Sequence, residues 1–233
     1  ALAPAGLGHA FYASDGASAA EIALKMSFHY WQQRGARDKS RYVRLTGGYH
    51  GETVGALGVT DVALFRAPYG PLLRDNPVLP SPALRDAGDA RSPERAVDDA
   101  LDALEAYLRT EGATTAALIV EPLIQGAGGM AMYDSRYLHR ARELTRRYDV
   151  HLIADEIMTG FGRTGTMFAC EQANAAAPDF VCLSKGLTGG YLPLSCVLTT
   201  DEVYGAFYAD DLARAFLHSH SYTGNALACR AAL

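Results

Sequence analysis

Cysteine is scarce in this sequence and unpaired in its spacing. Cys170, Cys182, Cys196 and Cys229 are the only four. No two form a C-x-x-C pattern, and three sit among apolar neighbours. They read as reduced, mostly buried thiols of a cytoplasmic protein rather than a disulfide framework. Long hydrophobic runs are also missing: nothing approaches the roughly 18 apolar residues of a membrane span. No charged n-region precedes an apolar h-region, which argues against secretion. Positive charge is not in excess. Net charge is −5 and no basic stripe occurs, so nucleic acid is not an expected partner. The seven histidines show no metal-ligand spacing beyond His218-Ser219-His220, a weak signal alone, and no metal is expected. Neither G-x-G-x-x-G after the first strand nor a P-loop lysine is present, which counts against a plain nucleotide-binding domain.

What remains is ordinary globular material. Hydrophobic residues make up 49% and charged residues 20% of 233 positions, enough for one α/β domain with a sizeable core. The chain opens without an initiator Met and stops at NALACRAAL, inside an apolar helical pattern without a C-cap. It therefore reads as an interior portion of a longer chain. Strand and helix patterns alternate. Strands are expected at 8–12, 41–45, 116–120, 150–154, 180–183 and 195–198. Helices are expected at 18–34, with the capping box Ser18-x-x-Glu21, at 93–110, with Ser92 as N-cap and Pro93 at the first position, and at 135–148. Residues 61–93, rich in Pro, Asp and Gly, read as long surface loops. Continuous apolar strands separated by helices imply an α/β fold with a mostly parallel central sheet and helices on both faces. Ligands of such sheets sit at the carboxyl ends of the strands. Glu121, Asp155 and the residues after Leu183 share that edge.

The stretch HLIADEIMTGFGRTG (151–165) puts two adjacent carboxylates at the end of a buried strand. Neighbouring strand side chains face opposite ways, so one of Asp155 and Glu156 at most can enter a site there. Glu156 is expected to face away and form a salt bridge. About 30 residues later, Lys185 follows an apolar strand and opens a Gly-rich turn. It is either a solvated loop lysine or a desolvated amine able to act as nucleophile or base. With Asp155 beside it, the second reading gains weight. A lysine that holds pyridoxal phosphate as a Schiff base needs an acid partner at the pyridine nitrogen. Three other stretches have plain explanations when taken singly. Ser14-Asp15-Gly16-Ala17-Ser18 is a capped helix start or a phosphate site. Gly47-Gly48-Tyr49-His50-Gly51 is a turn or a platform for a planar ring. Residues 218–225 are an N-cap cluster or a set of phosphate-binding hydroxyls.

Together, YHGET (49–53), EPLIQGAGGMAMY (121–133), LIADEIMTGFGRTGTMFACE (152–171), SKGLTGGYLPLS (184–195) and HSHSYTGNALAC (218–229) resemble the class III, fold-type I, pyridoxal-phosphate aminotransferases. The resemblance spans essentially the whole chain. It implies that residues 1–233 are the cofactor-binding large domain, without the N-terminal segment and C-terminal small domain of the family. It implies that Lys185 is the Schiff-base lysine and Asp155 the pyridine-nitrogen partner. Tyr49 stacks on the ring and approaches substrate, and Ile157 packs on the other ring face. Gly16 and Ala17 offer backbone amides to the phosphate. His220 and Ser221 reach the phosphate of the neighbouring subunit of a homodimer, and Ser219 contacts substrate. Two positions depart from relatives in the family: Ala17 replaces a Ser found in many members, and Ser219 a Gly found in some members of one branch. Within the family, the likeness leans toward the branch of biotin synthesis. That branch aminates the keto acid 8-amino-7-oxononanoate with S-adenosylmethionine, or lysine, as amine donor. The alternative is an ω-amino acid:pyruvate transaminase.

Overall fold

The computed structural model describes residues 3–84, 89–174 and 177–233. Strand β1 (His9–Ala13) leads directly into helix α1 (Gly16–Gln33). This helix begins two residues before its expected start. Asp15, not Ser18, is the N-cap, and its carboxylate accepts the Ser18 N–H and the Ser18 hydroxyl, each at 2.8 Å. A charged acceptor suits the positive end of a helix. Glu21 is therefore not part of a capping box. Its Oε1 accepts from the Thr53 hydroxyl at 2.6 Å and the Gly55 N–H at 2.8 Å.

After β2 (Arg41–Leu45) come two short helices, α2 (Val54–Val59) and α3 (Ala63–Arg66), then a 3-10 turn at 67–72 and β3 (Val78–Leu79). The expected loop at 61–93 is thus partly regular. Elements of two to six residues are too short to show a period in the sequence. Residues 85–88 of that stretch lie outside the described residues. Helix α4 (Pro93–Glu111) starts as expected, with the Ser92 hydroxyl accepting the Arg95 N–H at 3.2 Å. There follow β4 (Thr115–Val120), the small hairpin of β5 (Ile124–Gln125) and β6 (Ala131–Met132), α5 (Arg136–Arg147) and β7 (His151–Asp155). The remaining elements are β8 (Phe180–Leu183), β9 (Ser195–Thr199), α6 (Asp201–Phe207) and α7 (Ala226–Ala232).

The main sheet has the order β1-β9-β8-β7-β4-β2-β3. It is mostly parallel, as expected, but β9 runs antiparallel to both neighbours. The cause is local. Parallel neighbours need a crossover of about a dozen residues or more, usually a helix. Only the tight Lys185 turn and a short loop separate β8 from β9.

Strand alternation divides the core in two. Ala117, Ile119, Ile153, Phe180, Cys182 and Val197 face α1, packing on Ile22, Ala23 and Met26. Leu118, Val120 and Leu152 face the other way, onto Val97, Leu104, Leu108, Tyr137 and Leu144 of α4 and α5. Fully burying such a side chain is worth about 1.5–3 kcal/mol, so a one-residue slip of any strand is prohibitive. The same alternation decides which way the charged residues at the strand ends point.

Candidate active site

Asp155 continues the α1-facing set of β7 and is buried. Its Oδ2 lies 2.7 Å from His50 Nδ1, and its Oδ1 accepts the Ile157 N–H at 3.1 Å. Glu156 turns to the other face, as expected, but forms no salt bridge among the described residues. Its carboxylate accepts the Thr159 hydroxyl at 2.7 Å, the Ala169 N–H at 3.0 Å and the Cys170 N–H at 2.7 Å. Burial raises its pKa and these bonds oppose the rise. Glu156 thus fastens the two ends of the loop after β7. Asp155 keeps acceptor capacity toward open space.

That space is bounded by the start of α1. The first N–H groups of a helix have no intrahelical acceptor. Asp15 takes that of Ser18, which leaves those of Gly16 and Ala17 at the cavity wall. A Cβ on Gly16 would lie 3.0 Å from the Ile157 side chain, so glycine allows that side chain to close in. The loop after β2 presses on the same helix. Gly51 has φ +121°, and a Cβ there would lie 2.6 Å from that of Ala17. This loop carries Tyr49, whose hydroxyl donates to Glu52 Oε1 at 2.9 Å. Burial, then the bond to Glu52, pushes the phenol up to about 12, so it stays protonated near neutrality.

Glu121, at the end of β4, is buried and accepts the Tyr49 N–H at 3.3 Å and the Gly126 N–H at 3.2 Å. Burial raises its pKa to about 7; His50 opposes the rise and Asp155 adds to it. Lys185 follows β8 with φ +42°, a left-handed backbone that lysine rarely adopts. It is exposed, which corrects the expectation of a desolvated amine.

Gly16, Ala17, Tyr49, Asp155, Ile157 and Lys185 line one cavity of about 350 Å³, within the usual range of roughly 300–1,000 Å³ for small-molecule sites. Six residues named from sequence are thereby brought together from four separate segments. Ser219, His220 and Ser221 are not. His220 Nε2 lies 3.1 Å from Ser14 Oγ, beside the helix start, and both serines are exposed. Sequence reasoning assigned no role to His50 or to Asp15. The only available signal for His50 was its place next to Tyr49 in a glycine-flanked turn. A larger cavity of about 800 Å³ opens at the other ends of the strands, lined by Arg142, His151, Asp179 and Glu202 among others. It holds no lysine, so the chemistry of the residues and not the volume singles out the smaller one.

The aminotransferase class-III family pattern matches residues 1–233. The adenosylmethionine-8-amino-7-oxononanoate aminotransferase of Aquifex aeolicus is 47% identical over 100% of this chain and 51% of its own length. That of Helicobacter pylori is 49% identical over 95% of this chain and 49% of its own. The chain therefore spans about half the length of these curated relatives. Among solved structures, an amine transaminase from an uncultivated Pseudomonas species, in its PLP-bound form, superposes with a TM-score of 0.90. It is 35% identical over 97% of this chain and 51% of that one. The residues here fit such a cofactor. Free helix N–H groups suit a phosphate, a buried carboxylate suits a ring nitrogen, and an amine lines the same cavity. The chain belongs to the class-III aminotransferases, a pyridoxal-phosphate-dependent family.

Proposed function

We propose that residues 1–233 are the cofactor-binding large domain of a pyridoxal-phosphate enzyme of biotin synthesis. It transfers an amino group from S-adenosylmethionine, or lysine, to 8-amino-7-oxononanoate. The observation that carries this reading is the 47% and 49% identity to relatives bearing that activity in their names, across nearly the whole chain. Fold likeness does not discriminate. A Methanocaldococcus jannaschii structure of that name has a TM-score of 0.89 and the Pseudomonas amine transaminase 0.90.

When bound, pyridoxal phosphate supplies an aldehyde that captures amines and a cationic ring that draws electrons from the captured carbon. The N–H groups of Gly16 and Ala17 would hold its phosphate at the positive end of α1. Ile157 and Tyr49 would bracket the ring and keep water from it. Asp155 would hold negative charge at the ring nitrogen, and His50, 2.7 Å from the carboxylate, would fix its orientation. Lys185 Nζ would anchor the cofactor and, when free, move a proton at the donor or acceptor carbon as general base and general acid.

A homodimer is part of the proposal, with His220 and Ser221 of one copy serving the phosphate of the other and Ser219 meeting substrate. Their position outside the chain's own cavity supports this. So do large apolar side chains left exposed, such as Leu64 at 80% and Tyr191 at 85%. Four unpaired thiols agree with a cytoplasmic location.

The deciding experiment uses the full-length enzyme. Each donor is mixed alone with the cofactor-loaded protein and the loss of the bound-cofactor absorbance is followed. S-adenosylmethionine or lysine should discharge it, and 8-amino-7-oxononanoate should restore it. Discharge only by an ω-amino acid, with restoration only by pyruvate, sinks this reading in favour of the ω-transaminase one.

A further inference from the structure

Two non-glycine residues with left-handed backbones meet beside the site. Lys185 has φ +42° and Phe161, in the loop after β7, has φ +63°. Such residues cost on the order of 1–3 kcal/mol each and persist only when their surroundings over-determine them. The contact between them runs through Gly186. Its own φ is not left-handed, so backbone freedom does not explain the glycine. Space does: a Cβ at Gly186 would lie 2.9 Å from Phe161 Cδ2 and 3.3 Å from its Cγ. The ring of Phe161 rests on the backbone next to Lys185.

We propose that Phe161 is a positioning residue for Lys185: its ring, seated against Gly186, holds the lysine turn in the left-handed conformation that aims Nζ into the cavity. This rests on the assignment of Lys185 as the cofactor-bearing lysine.

The placement of Phe161 is itself fixed from β7. Its N–H donates to the Met167 carbonyl at 2.7 Å, and the Gly160 N–H donates to the Glu156 carbonyl at 2.9 Å. The Glu156 carboxylate ties down the far end of the loop at Ala169 and Cys170. On its other side the ring meets Phe168 edge-on, at 5.8 Å between centroids, and Phe168 is fully buried. The Lys185 side is closed by the Leu187 N–H on the Ser184 carbonyl at 2.9 Å and the Gly190 N–H on the Lys185 carbonyl at 3.1 Å. A single strand end therefore sets both poles of the site. Asp155 faces the cavity, where it would meet the ring nitrogen. Glu156, through the loop and Phe161, sets the turn that bears the amine. This gives a role to the carboxylate that faces away from the cavity.

The test is a double-mutant cycle on the full-length protein, stripped of cofactor. The measured quantities are the affinity for pyridoxal phosphate and the rate at which the lysine–cofactor absorbance appears. Phe161→Ala should slow that rate and weaken affinity by about tenfold or more. In a Lys185→Ala background, which binds the cofactor without the covalent link, Phe161→Ala should change affinity by less than about twofold. Gly186→Ala, which pushes the ring from the opposite side, should reproduce the slow capture with Phe161 intact. Should Phe161→Ala fail to fold, Phe161→Leu keeps the apolar contact with Phe168 and should show a smaller defect of the same kind. Equal loss in both backgrounds marks Phe161 as general packing and overturns the proposal, as does unchanged capture. If borohydride traps no cofactor on Lys185 in the unmodified enzyme, the assignment of Lys185 fails and this proposal with it. Trapping on Lys185 together with a null cycle overturns the proposal alone.

Discussion

The two ends of the central sheet both bury charge, but they treat it differently. At the amino ends of the strands the buried charges are largely matched, although Arg142 Nε has no partner among the described residues. Arg142 grips Asp179 through two bonds, at 2.6 and 2.9 Å, and the same carboxylate accepts the Leu152 N–H at 2.7 Å. Lys39 gives its ammonium to the carbonyls of Gly112 and Thr115, at 2.7 and 3.1 Å. His151 is neutral and meets the Ser27 hydroxyl at 2.9 Å; burial brings its pKa down to about 4. At the carboxyl ends, Asp155 and Glu121 share one small cavity, burial holds Glu121 near 7, and the lysine sits on a strained backbone. The first arrangement holds strands and helices together. The second leaves like charges facing open space, which suits a ligand that supplies the missing partners. Volume misleads here, because the larger cavity lies at the matched end.

Lys185→Ala is the most severe way to break the comparison. Transamination should fall to background and borohydride should trap no cofactor on the chain. Stability should stay within about 0.5 kcal/mol, because an exposed loop side chain adds little to packing. A large loss of stability would place Lys185 among the structural charges.

Next come the paired carboxylates. Asp155→Asn removes a charge-assisted bond worth about 1.5–3 kcal/mol, so single-turnover proton transfer should slow roughly 10- to 100-fold with cofactor capture retained. Glu156→Gln keeps the shape but disturbs three bonds of the loop. It should cost about 1–3 kcal/mol in urea unfolding, with a smaller effect on the chemical step. The reverse ranking in turnover would show that the facing of β7 has been misread.

The third contrast is in pH. His151 is lowered in the folded state from 6.5 to about 4, so its neutral form is favoured there. The stability it contributes is full above pH 6.5 and is lost as pH falls toward 4. Glu121 is raised from 4.5 to about 7, so its contribution is full below pH 4.5 and is lost as pH rises toward 7. Each is worth about 3 kcal/mol over its window, and the two nearly cancel between. In cofactor-free protein, His151→Gln should make stability rise on acidification from pH 6.5 to 4.5, and Glu121→Gln should steepen its fall. Parallel profiles for both variants would erase the difference between the two ends.

The smallest expected effect is at His50. His50→Gln keeps a donor to Asp155 and should cost less than Asp155→Asn in the same single-turnover assay. Equal impairment would move His50 from orienting the carboxylate to supplying its charge.

Much of this was readable from residue order because it rests on local rules. Continuous apolar stretches with helices between them specify a covered, mostly parallel sheet. Period-two alternation separates Asp155 from Glu156 before any fold is known. Ser92-Pro93 marks a helix start through cap chemistry alone. Gly16, Tyr49, Asp155 and Lys185 could each be picked out because each follows a strand or opens a helix at the edge where ligands gather, whereas Ile157 was indicated only by the family resemblance. Other features depend on segments far apart in the chain, and only the tertiary structure decided them. His50 reaches Asp155 across 105 positions. Glu21 caps a neighbouring helix and not its own, because Asp15 is closer to the positive end. Glu156 finds backbone N–H groups in place of a cation, because the loop after β7 folds back over it. Strand β9 reverses because the lysine turn leaves no length for a crossover. The glycine at 186 answers to a ring 25 positions earlier, and no local pattern encodes a contact of that kind.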